Sequence, residues 1–353
     1  MTITVHPDRL ARFGSDVLRA LDVPEPDADL VSESLVTADL WGHPSHGMLR
    51  LSWYAARLRS GAMAARTSPE LVVDGGAVAV LDGHDGVGQV VTDVACREAV
   101  RRAEVHGVGV VAVRNSNHFG TAAYWTRRMA AAGCVGILTT NGSPAMAPWG
   151  GTRKTVGANP WSVAAPGGSH PPVVLDIANT SVARGKIYAA AQRGEQIPDT
   201  WAIDENGVPT TDPAVAVHGI LAPMAGHKGY GISFVMDLLS GVLTGSGFAT
   251  DVVGPYVPDE RSGCGHLVVA IRVGALIPEG DYAQRVDDLI TTTKDVPRAP
   301  GVDEIFYPGE PEARAEESGR ATGVQLPDRT VAELRDLGTS CGVAFETVTA
   351  GVA

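Results

Sequence analysis

The sequence lacks the features of an exported or membrane-spanning chain. No run of about 18 apolar residues occurs, and the opening MTITVHPDRL shows no basic segment followed by an apolar one. The cysteines lie far apart without a CxxC pair, at Cys96, Cys134, Cys264 and Cys341. This spacing excludes a zinc knuckle and a disulfide framework and favours free thiols in a reducing compartment. We therefore expect a cytoplasmic protein with no membrane partner.

The chain is also poor in positive charge. It has 28 Lys+Arg against 40 Asp+Glu, a formal net charge of -12, and no basic block. Binding along a nucleic-acid backbone requires the opposite balance, so we expect no nucleic-acid partner. One or two arginines in a pocket can still hold a small anionic ligand.

The usual glycine-rich nucleotide loops are missing. Partial matches begin at Gly86, Gly107 and Gly245. The first lacks the third small residue, the second follows a helix and opens a strand, and the third follows a helix. A GxxxxGK[ST] phosphate loop is absent as well. Any dinucleotide is therefore bound without the usual loop.

The pattern that is present is typical of an α/β protein. Hydrophobic residues make up 44% of the chain and charged residues 19%. Apolar residues first recur at helical spacing, and Val- and Ile-rich runs such as VGVVAVR then alternate with helical stretches that end at glycine. We predict an α/β domain at 76–324, with a β-sheet covered by helices, and a helical lobe at 1–75 on which 325–353 pack back. The charged stretch 308–318 is expected to be a solvated loop.

Polar residues cluster first in residues 39–54. Ser45 and His46 precede a helix on which Arg50 and Tyr54 lie four residues apart, and so on one face. A forked guanidinium and a phenol on the same face suit a planar carboxylate. The alternative is that both residues belong to a solvated helix face.

A second cluster, Asn115 to His118, directly follows a buried strand. Ligands of α/β proteins bind where strands end. A histidine at a helix N-terminus is driven towards its neutral form by the helix dipole, which helps it to exchange protons near neutral pH. The alternative is a structural histidine that bonds a backbone carbonyl.

The third cluster is split between Asp176 and Lys228. Asp176 ends an apolar strand, where a carboxylate is unfavourable unless it is hydrogen-bonded. Lys228 stands between glycines at a helix start, where a cation gains nothing from the helix dipole and an anionic ligand would explain it. Alternatively, Lys228 is a surface lysine in a flexible turn.

Two other chemistries fit the sequence less well. Ser45, His46 and Asp176 resemble a hydrolase triad in composition, but adjacent Ser and His rarely face each other and no GxSxG elbow exists. His43 and His46 flank Pro44 in a turn and have no third ligand nearby, so we expect no metal. A hydrolase and a non-catalytic binding protein remain distant alternatives.

Several motifs together resemble one family. They are SHGMLR at 45–50, NSNHFG at 115–120, GANP at 157–160, DIANT and RGK within 176–186, PTTDP at 209–213 and GHKGYG at 226–231. In this order they resemble the malate/L-lactate/ureidoglycolate dehydrogenases, NAD(P)-dependent oxidoreductases without a Rossmann fold. The resemblance covers nearly the whole chain. It implies a large mixed β-sheet with a non-Rossmann dinucleotide site, a homodimer, and NAD or NADP as cofactor, with NAD preferred.

The resemblance also implies roles for individual residues. His118 matches the acid/base histidine of the hydroxy-acid dehydrogenases, and Ser45, His46 and Asp176 match a proton relay of the imine reductases. Arg50 and Tyr54 match substrate contacts. The residues matching cofactor contacts are Gly142, Asp176, Ile177, Ala178 and Lys228. Many members have arginine where this chain has Trp41, which would favour a larger or less charged substrate.

The predicted reaction is hydride transfer between the nicotinamide and C2 of a small 2-oxo or 2-hydroxy carboxylic acid. Arg50 would orient the carboxylate and His118 would move the proton. The alternative within the same fold is a ketimine reductase that acts on cyclic imino acids.

Overall fold

The computed structural model describes residues 2–345. Its strands are β1 (Thr2–Val5), β2 (Glu70–Gly75), β3 (Val78–Asp82), β4 (Val108–Ser116), β5 (Cys134–Thr140), β6 (Pro144–Met146), β7 (Val156–Gly157), β8 (Trp161–Ala165), β9 (Val173–Ile177), β10 (Ala202–Ile203), β11 (Ile220–Leu221), β12 (Cys264–Arg272) and β13 (Val324–Pro327).

The α-helices are α1 (Pro7–Arg19), α2 (Glu25–Leu40), α3 (Leu51–Ser60), α4 (Gly88–His106), α5 (Ala122–Ala131), α6 (Arg184–Arg193), α7 (Pro213–His218), α8 (His227–Asp237), α9 (Glu279–Lys294), α10 (Glu310–Thr322) and α11 (Asp328–Cys341). Short 3-10 helices are Pro44–His46, Met48–Arg50, Ala249–Asp251 and Val273–Ala275, and a π-helical turn, Leu238–Val242, extends α8. Within residues 2–345, no helix is both long and apolar enough to cross a membrane.

Seven strands form one mixed sheet in the order β2-β3-β4-β12-β5-β8-β9. β3 and β4 pair in parallel, and the other neighbours pair antiparallel. Strands β4 and β5 both pair antiparallel with β12, and β5 and β9 both pair antiparallel with β8. Strands β4, β5 and β9 therefore run in the same direction. Their final residues, Ser116, Thr140 and Ile177, therefore lie along one side of the sheet, which we call the carboxyl edge. The mixed α/β architecture confirms the predicted fold class.

Helices α4 and α5 cover one face of this sheet. Ala95 and Ala99 are fully buried on α4, and Trp125 is fully buried on α5. The helix approaches so closely that a Cβ on Gly109 of β4 would lie 2.0 Å from the carbonyl oxygen of Ala99. Only glycine fits there without moving the backbone. Because α4 follows β3 and α5 follows β4, both helices begin at the carboxyl edge.

The N-terminal helices form a second core with the last described helix. Leu10 of α1 and Leu35 of α2 are buried with Leu334 of α11, and β1 pairs with β13. β2 already belongs to the large sheet, although it begins at Glu70, inside the predicted lobe. Residues 346–353 lie outside the described residues, so the full predicted division at 75 and 325 stays a prediction.

The prediction of a solvated loop at 308–318 is wrong, because Glu310 begins helix α10. Glu310 is only 7% exposed. It accepts hydrogen bonds from Lys294 Nζ at 2.5 Å and from Arg314 Nη2 at 2.6 Å. A further pair four residues apart, Glu316 and Arg320, supports the same helix. The charges that resemble a solvated loop in the sequence are thus ion-paired helix residues.

Candidate active site

The turn between α2 and α3 is held by a single carboxylate, that of Asp39. Its Oδ2 accepts a 2.8 Å hydrogen bond from the backbone N–H of Met48. A Cβ on Gly47 would lie 2.0 Å from Asp39 Oδ1, so glycine lets the chain pass against the carboxylate. Burial raises the pKa of Asp39 to about 7, although the Met48 hydrogen bond opposes the rise. This packing fixes the direction in which Ser45, His46 and Arg50 leave the turn.

His118 meets this turn from the end of β4. Its Nδ1 lies 2.7 Å from the Tyr54 hydroxyl, and the Gly120 nitrogen lies 3.3 Å from Nδ1. The Tyr54 contact fits both neutral tautomers, because a hydroxyl can donate to Nδ1 or accept from it, and the tautomer with the proton on Nδ1 leaves Nε2 unprotonated. The His46 ring stacks on His118, with centroids 5.7 Å apart and planes inclined by 18°.

Two further contacts complete the cluster. Ser45 Oγ lies 3.0 Å from His46 Nδ1. Arg50 donates from Nε to the Ser45 carbonyl oxygen at 2.5 Å, and its guanidinium carbon lies 3.9 Å from the centroid of the Trp53 ring. The remaining guanidinium nitrogens are thereby presented at a fixed angle. Ser45, His46, Arg50, Tyr54 and His118, separated by up to 73 positions in the sequence (118 − 45), thus lie together.

Burial sets the charge of both histidines. It lowers the pKa of His118 well below the usual 6.5, and the neighbouring His46, Arg50 and His266 lower it further. Burial, Arg50 and His43 lower the pKa of His46 to about 3. Both rings are therefore neutral near pH 7.

Asp176 lies at the carboxyl edge but contacts the start of α5 rather than Ser45 or His46. Its Oδ2 accepts a 2.7 Å hydrogen bond from the N–H of Ala123 in the first turn of α5, so it acts as the cap that the Thr121 side chain does not provide. Burial raises the pKa of Asp176 to about 6. Ser45 and His46 are bonded to each other, and Asp176 forms no hydrogen bond with either in the described structure. A relay through all three stays a prediction.

Trp41 lies beside Asp176 and is only 5% exposed. Its Nε1 donates to Glu316 Oε2 at 2.7 Å, and the Arg127 guanidinium lies 4.6 Å from its ring centroid. The side chain therefore packs between α5 and α10. The effect of this tryptophan on the size or charge of the substrate stays a prediction.

The predicted cofactor residues lie at the ends of β5 and β9 and at the start of α8. The Gly142 N–H donates to Asn159 Oδ1 at 3.0 Å, and the space on its Cβ side is open. Asn179 Nδ2 donates to the Asn159 carbonyl oxygen at 2.7 Å, and the Asn179 carbonyl accepts from Met224, just before α8. These bonds tie the three segments into one surface.

The same surface offers groups that fit an anionic dinucleotide. Ala178 is exposed after the end of β9, where Ile177 is half-buried. Lys228 is exposed in the first turn of α8 and makes no hydrogen bond or ion pair within residues 2–345. An uncompensated cation beside the free N–H groups of a helix start is suited to a phosphate. The charge and position of Lys228 thus suit a phosphate, and its contact with a cofactor stays a prediction.

Sequence reasoning missed two residues of this region. Asp39 precedes the SHG motif by six positions (45 − 39) and has no motif of its own. Gln89, the second residue of α4, is fully buried. Its only signal in the sequence was the partial glycine motif at 86–88, which predicts a close backbone contact rather than a nucleotide loop.

The fold and this cluster are those of an α/β oxidoreductase with a non-Rossmann dinucleotide surface. Similarity to known proteins gives the same class. Residues 5–335 match the malate/L-lactate dehydrogenase family. The L-sulfolactate dehydrogenase of Methanocaldococcus jannaschii is 37% identical over 342 residues, which are 97% of this chain and 98% of the relative. Its solved structure superposes with a TM-score of 0.91 at 36% identity and covers 98% of both chains.

Two other relatives are named for reactions different from that of the sulfolactate dehydrogenase. The ureidoglycolate dehydrogenase (NAD(+)) of Escherichia coli K12 is 35% identical over 85% of this chain and 86% of the relative. The delta1-piperideine-2-carboxylate reductase of Pseudomonas syringae pvar. tomato superposes with a TM-score of 0.84 at 26% identity, covering 95% of this chain and 99% of the other.

The chain belongs to the malate/L-lactate dehydrogenase family. This confirms the resemblance, and with it the prediction of an NAD(P)-dependent oxidoreductase of small carboxylic acids.

The raised pKa of the half-buried Asp39 carboxyl predicts a specific dependence of stability on pH. Its pKa is raised to about 7 from 3.8, so the folded protein binds a proton that the unfolded chain has lost, and stability falls as pH rises from about 4 through 7. Asp39→Asn still accepts the Met48 N–H but cannot ionise. We expect the free energy of unfolding of Asp39→Asn minus that of the wild type, measured in urea titrations, to increase steadily as pH rises from 4 to 8.

Asp336→Asn, at an exposed position of α11, is the control and should leave the difference from wild type constant with pH. A constant difference for Asp39→Asn as well would contradict a neutral buried carboxyl.

Proposed function

We propose that this protein transfers a hydride between a nicotinamide and C2 of a small 2-hydroxy or 2-oxo carboxylic acid, with His118 as the proton acceptor and donor. The observation that supports this best is the neutral, half-buried His118 ring, held through Nδ1 by Tyr54 so that Nε2 remains for the substrate. Nicotinamide, when bound, supplies or accepts the hydride. The chain's own residues orient the acid and move the proton.

Arg50 is proposed to bind the carboxylate of the substrate. Its guanidinium is already oriented by the Ser45 carbonyl and by stacking on Trp53, so little side-chain freedom is lost when an anion binds. A carboxylate held there places C2 and its oxygen beside the stacked His46 and His118 rings. Holding the reactants in this way converts binding energy into orientation for the hydride step.

Proton transfer follows from the neutral state of the ring. In the oxidative direction, the ring acts in the tautomer that carries its proton on Nδ1 and donates it to the Tyr54 oxygen. Nε2 then accepts the hydroxyl proton as a general base while the hydride leaves C2. In the reductive direction, the imidazolium returns that proton to the forming alkoxide. His46, bonded to Ser45, is proposed to stabilise the orientation of His118 by stacking and to relay the proton to solvent.

The cofactor is proposed to lie across the surface formed by Gly142, the β9 end and α8. Lys228 would meet a phosphate or a ribose hydroxyl, and Ala178 and the open side of Gly142 allow the close approach of a flat ligand. Asp176 and Ile177 would support this surface from beneath. NAD is proposed in preference to NADP, as in the ureidoglycolate dehydrogenase relative.

A second candidate is the reduction of a cyclic imino acid. The overall match to a piperideine-2-carboxylate reductase supports it, because an α-imino acid offers the same carboxylate to Arg50 and the same C2 to a hydride. The proton would then go to nitrogen rather than oxygen.

We also propose a cytoplasmic homodimer. Large apolar side chains are exposed along one face of α8 and its π-helical extension, namely Phe234 (54%), Val235 (46%), Leu238 (44%), Val242 (57%) and Leu243 (61%). A contiguous apolar stripe of this kind is typical of a protein interface.

The cysteines of the described residues are all free, which fits the reducing compartment of the cytoplasm.

Replacement of His118 tests the proposed function. His118→Ala should lower turnover by a factor on the order of 10² to 10⁴, the usual contribution of a general acid or base. NADH or NADPH consumption would be followed with pyruvate, oxaloacetate, sulfopyruvate, 2-oxoisovalerate and piperideine-2-carboxylate. His106→Ala, at the exposed end of α4, should retain wild-type rates.

Full turnover in His118→Ala would overturn the role of His118. If the wild-type protein neither consumed nor bound either cofactor, the reaction itself would be refuted.

The pH dependence tests the state of His118. Because its pKa is lowered, the base form persists below pH 6.5, and kcat/KM for oxidation should stay level from pH 8 to below 6.5. Reduction needs the protonated ring, so its kcat/KM should fall about tenfold for each unit by which the pH rises over the same range. An oxidative rate that declines already at pH 7 would show that another group is the base.

The dimer proposal predicts that Leu238→Glu combined with Val242→Glu yields a monomer, because two buried charges would disfavour the interface. Analytical ultracentrifugation measures the mass. Leu276→Glu, at an isolated position that is 79% exposed, should leave the dimer intact. A wild-type protein that is monomeric at micromolar concentration would refute the proposal.

A further inference from the structure

The loop formed by residues 253–262 is held against helix α3 by a buried arginine. Arg57 is only 1% exposed, and its guanidinium donates hydrogen bonds to the carbonyl oxygens of Val257 and, at 2.7 Å, of Glu260. It also donates to Asn117 Oδ1 at 3.2 Å. Burial of a guanidinium is unfavourable unless the group is hydrogen-bonded. These bonds therefore define the position of the loop relative to α3 and to the chain just after β4.

Tyr256 folds back over this loop. A Cβ on Gly254 would lie 2.3 Å from Tyr256 Cε1 and 2.8 Å from Ser143 Oγ, so glycine leaves the room that the phenol ring occupies. The Tyr256 hydroxyl oxygen lies 3.5 Å from Ser143 Oγ. The Tyr256 ring also contacts the Trp53 ring, with centroids 5.8 Å apart and planes inclined by 75°. These contacts set the direction of the Tyr256 side chain.

The same contacts locate Tyr256 between the two halves of the candidate site. Trp53 supports the Arg50 guanidinium, whose carbon lies 3.9 Å from the Trp53 ring centroid. Ser143 directly follows Gly142, which belongs to the proposed cofactor surface. The phenol therefore reaches from the arginine proposed for the carboxylate to the surface proposed for the dinucleotide.

The exposure of Tyr256 indicates that its ring faces open space. A tyrosine that only covered Trp53 would gain most by burying its ring, yet Tyr256 is 59% exposed. Its contact with the Ser143 hydroxyl is at the limit of hydrogen-bond length. Much of the ring and its hydroxyl are therefore available to a ligand.

The geometry of C2 leaves one group of the substrate for this ring. In a 2-hydroxy acid, C2 carries a carboxylate, a hydroxyl, the hydrogen that leaves as hydride and one further substituent. Under the proposed function, the carboxylate faces Arg50, the hydroxyl faces His118 and the hydride faces the nicotinamide. The further substituent points into the space that remains, and Tyr256 borders that space because it contacts both Trp53 and Ser143.

We infer that Tyr256 is a specificity-determining residue whose ring limits the size of the substituent on C2 of the acid, and that Arg57 is the positioning residue that holds this ring in place. A methyl substituent fits beside the ring, whereas a benzyl substituent is excluded by it. The inference rests on the proposed function, because the direction of the substituent follows from the roles of Arg50 and His118.

Tyr256→Ala tests the role of the ring. Once the ring is removed, kcat/KM for phenylpyruvate divided by kcat/KM for pyruvate should rise about tenfold or more, the usual scale of discrimination by size in an apolar pocket. Tyr256→Phe keeps the ring and should keep the wild-type ratio. A ratio in Tyr256→Ala that is unchanged or lower would overturn the inference. A Tyr256→Phe variant that behaves like Tyr256→Ala would do the same.

Arg57→Lys tests the positioning role. Lysine keeps the charge but lacks the planar fork that bonds two carbonyl groups, so the ring should lose its fixed position and the same ratio should rise. In the Tyr256→Ala background, Arg57→Lys should not raise the ratio further. An unchanged ratio in the single variant, or a further rise in the double variant, would refute the role of Arg57. If Arg57→Lys does not fold, Ser60→Ala gives the same test, because the Ser60 hydroxyl donates to the Pro258 carbonyl oxygen of the loop at 2.5 Å.

Leu276→Ala is the control, because it also removes a mostly exposed side chain (79%), and it should keep the wild-type ratio. Tyr256→Ala should unfold near the wild-type temperature, because its ring lies largely at the surface, and should keep the wild-type mass in analytical ultracentrifugation. An equal loss of kcat/KM for all acids together with a lower mass would contradict the inference, because Tyr256 would then act through an interface.

A binding measurement separates this inference from the proposed function. Calorimetry with the oxidised cofactor and a 2-oxo acid requires no turnover, because no hydride can pass in that complex. The Kd for phenylpyruvate divided by the Kd for pyruvate should be about tenfold lower in Tyr256→Ala than in wild type. If that change occurs while no acid is reduced, the proposed hydride transfer fails and the inference stands. If acids are reduced and neither ratio changes, the inference fails and the proposed function stands.

Discussion

The hydrogen bond between Tyr54 and His118 joins the two parts of the molecule on which the site depends. Tyr54 belongs to the N-terminal helical core, and His118 follows a central strand of the large sheet. The bond forms only if α3 docks at the carboxyl edge, so the packing of the helical lobe and the state of the imidazole are coupled. It also fixes which ring nitrogen is free, which is the property a proton-transfer residue requires.

The rest of the site follows from burial. Removing Asp39, His46, His118 and Asp176 from water disfavours their charged forms, so the carboxyls gain protons more readily and the histidines less readily. The result is a region with few fixed charges other than Arg50. Under the proposed function, an incoming carboxylate would pair with that arginine, and its negative charge would make protonation of His118 easier at the moment the proton arrives.

Much of the fold could be predicted from the sequence because its strands are buried and its helices end at glycine. The runs at β4, β5, β9 and β12 were identifiable from their Val and Ile content. The helix α10 was not, because its sequence is mostly charged and its Glu310 is paired with Lys294 on α9, a contact that no local pattern contains. The short strand β8, which completes the sheet between β5 and β9, likewise had no distinct pattern.

The sequence by itself determined the family, the fold class and the residue types of the site, because the motifs around Ser45, His118 and Lys228 are local and recur in order. Only the tertiary structure decided which of these residues meet. It paired His118 with Tyr54 and stacked it on His46, and it assigned Asp176 to the start of α5 rather than to His46. These contacts join residues of different elements, and the register of a mixed sheet is set by packing over the whole core rather than by any local spacing.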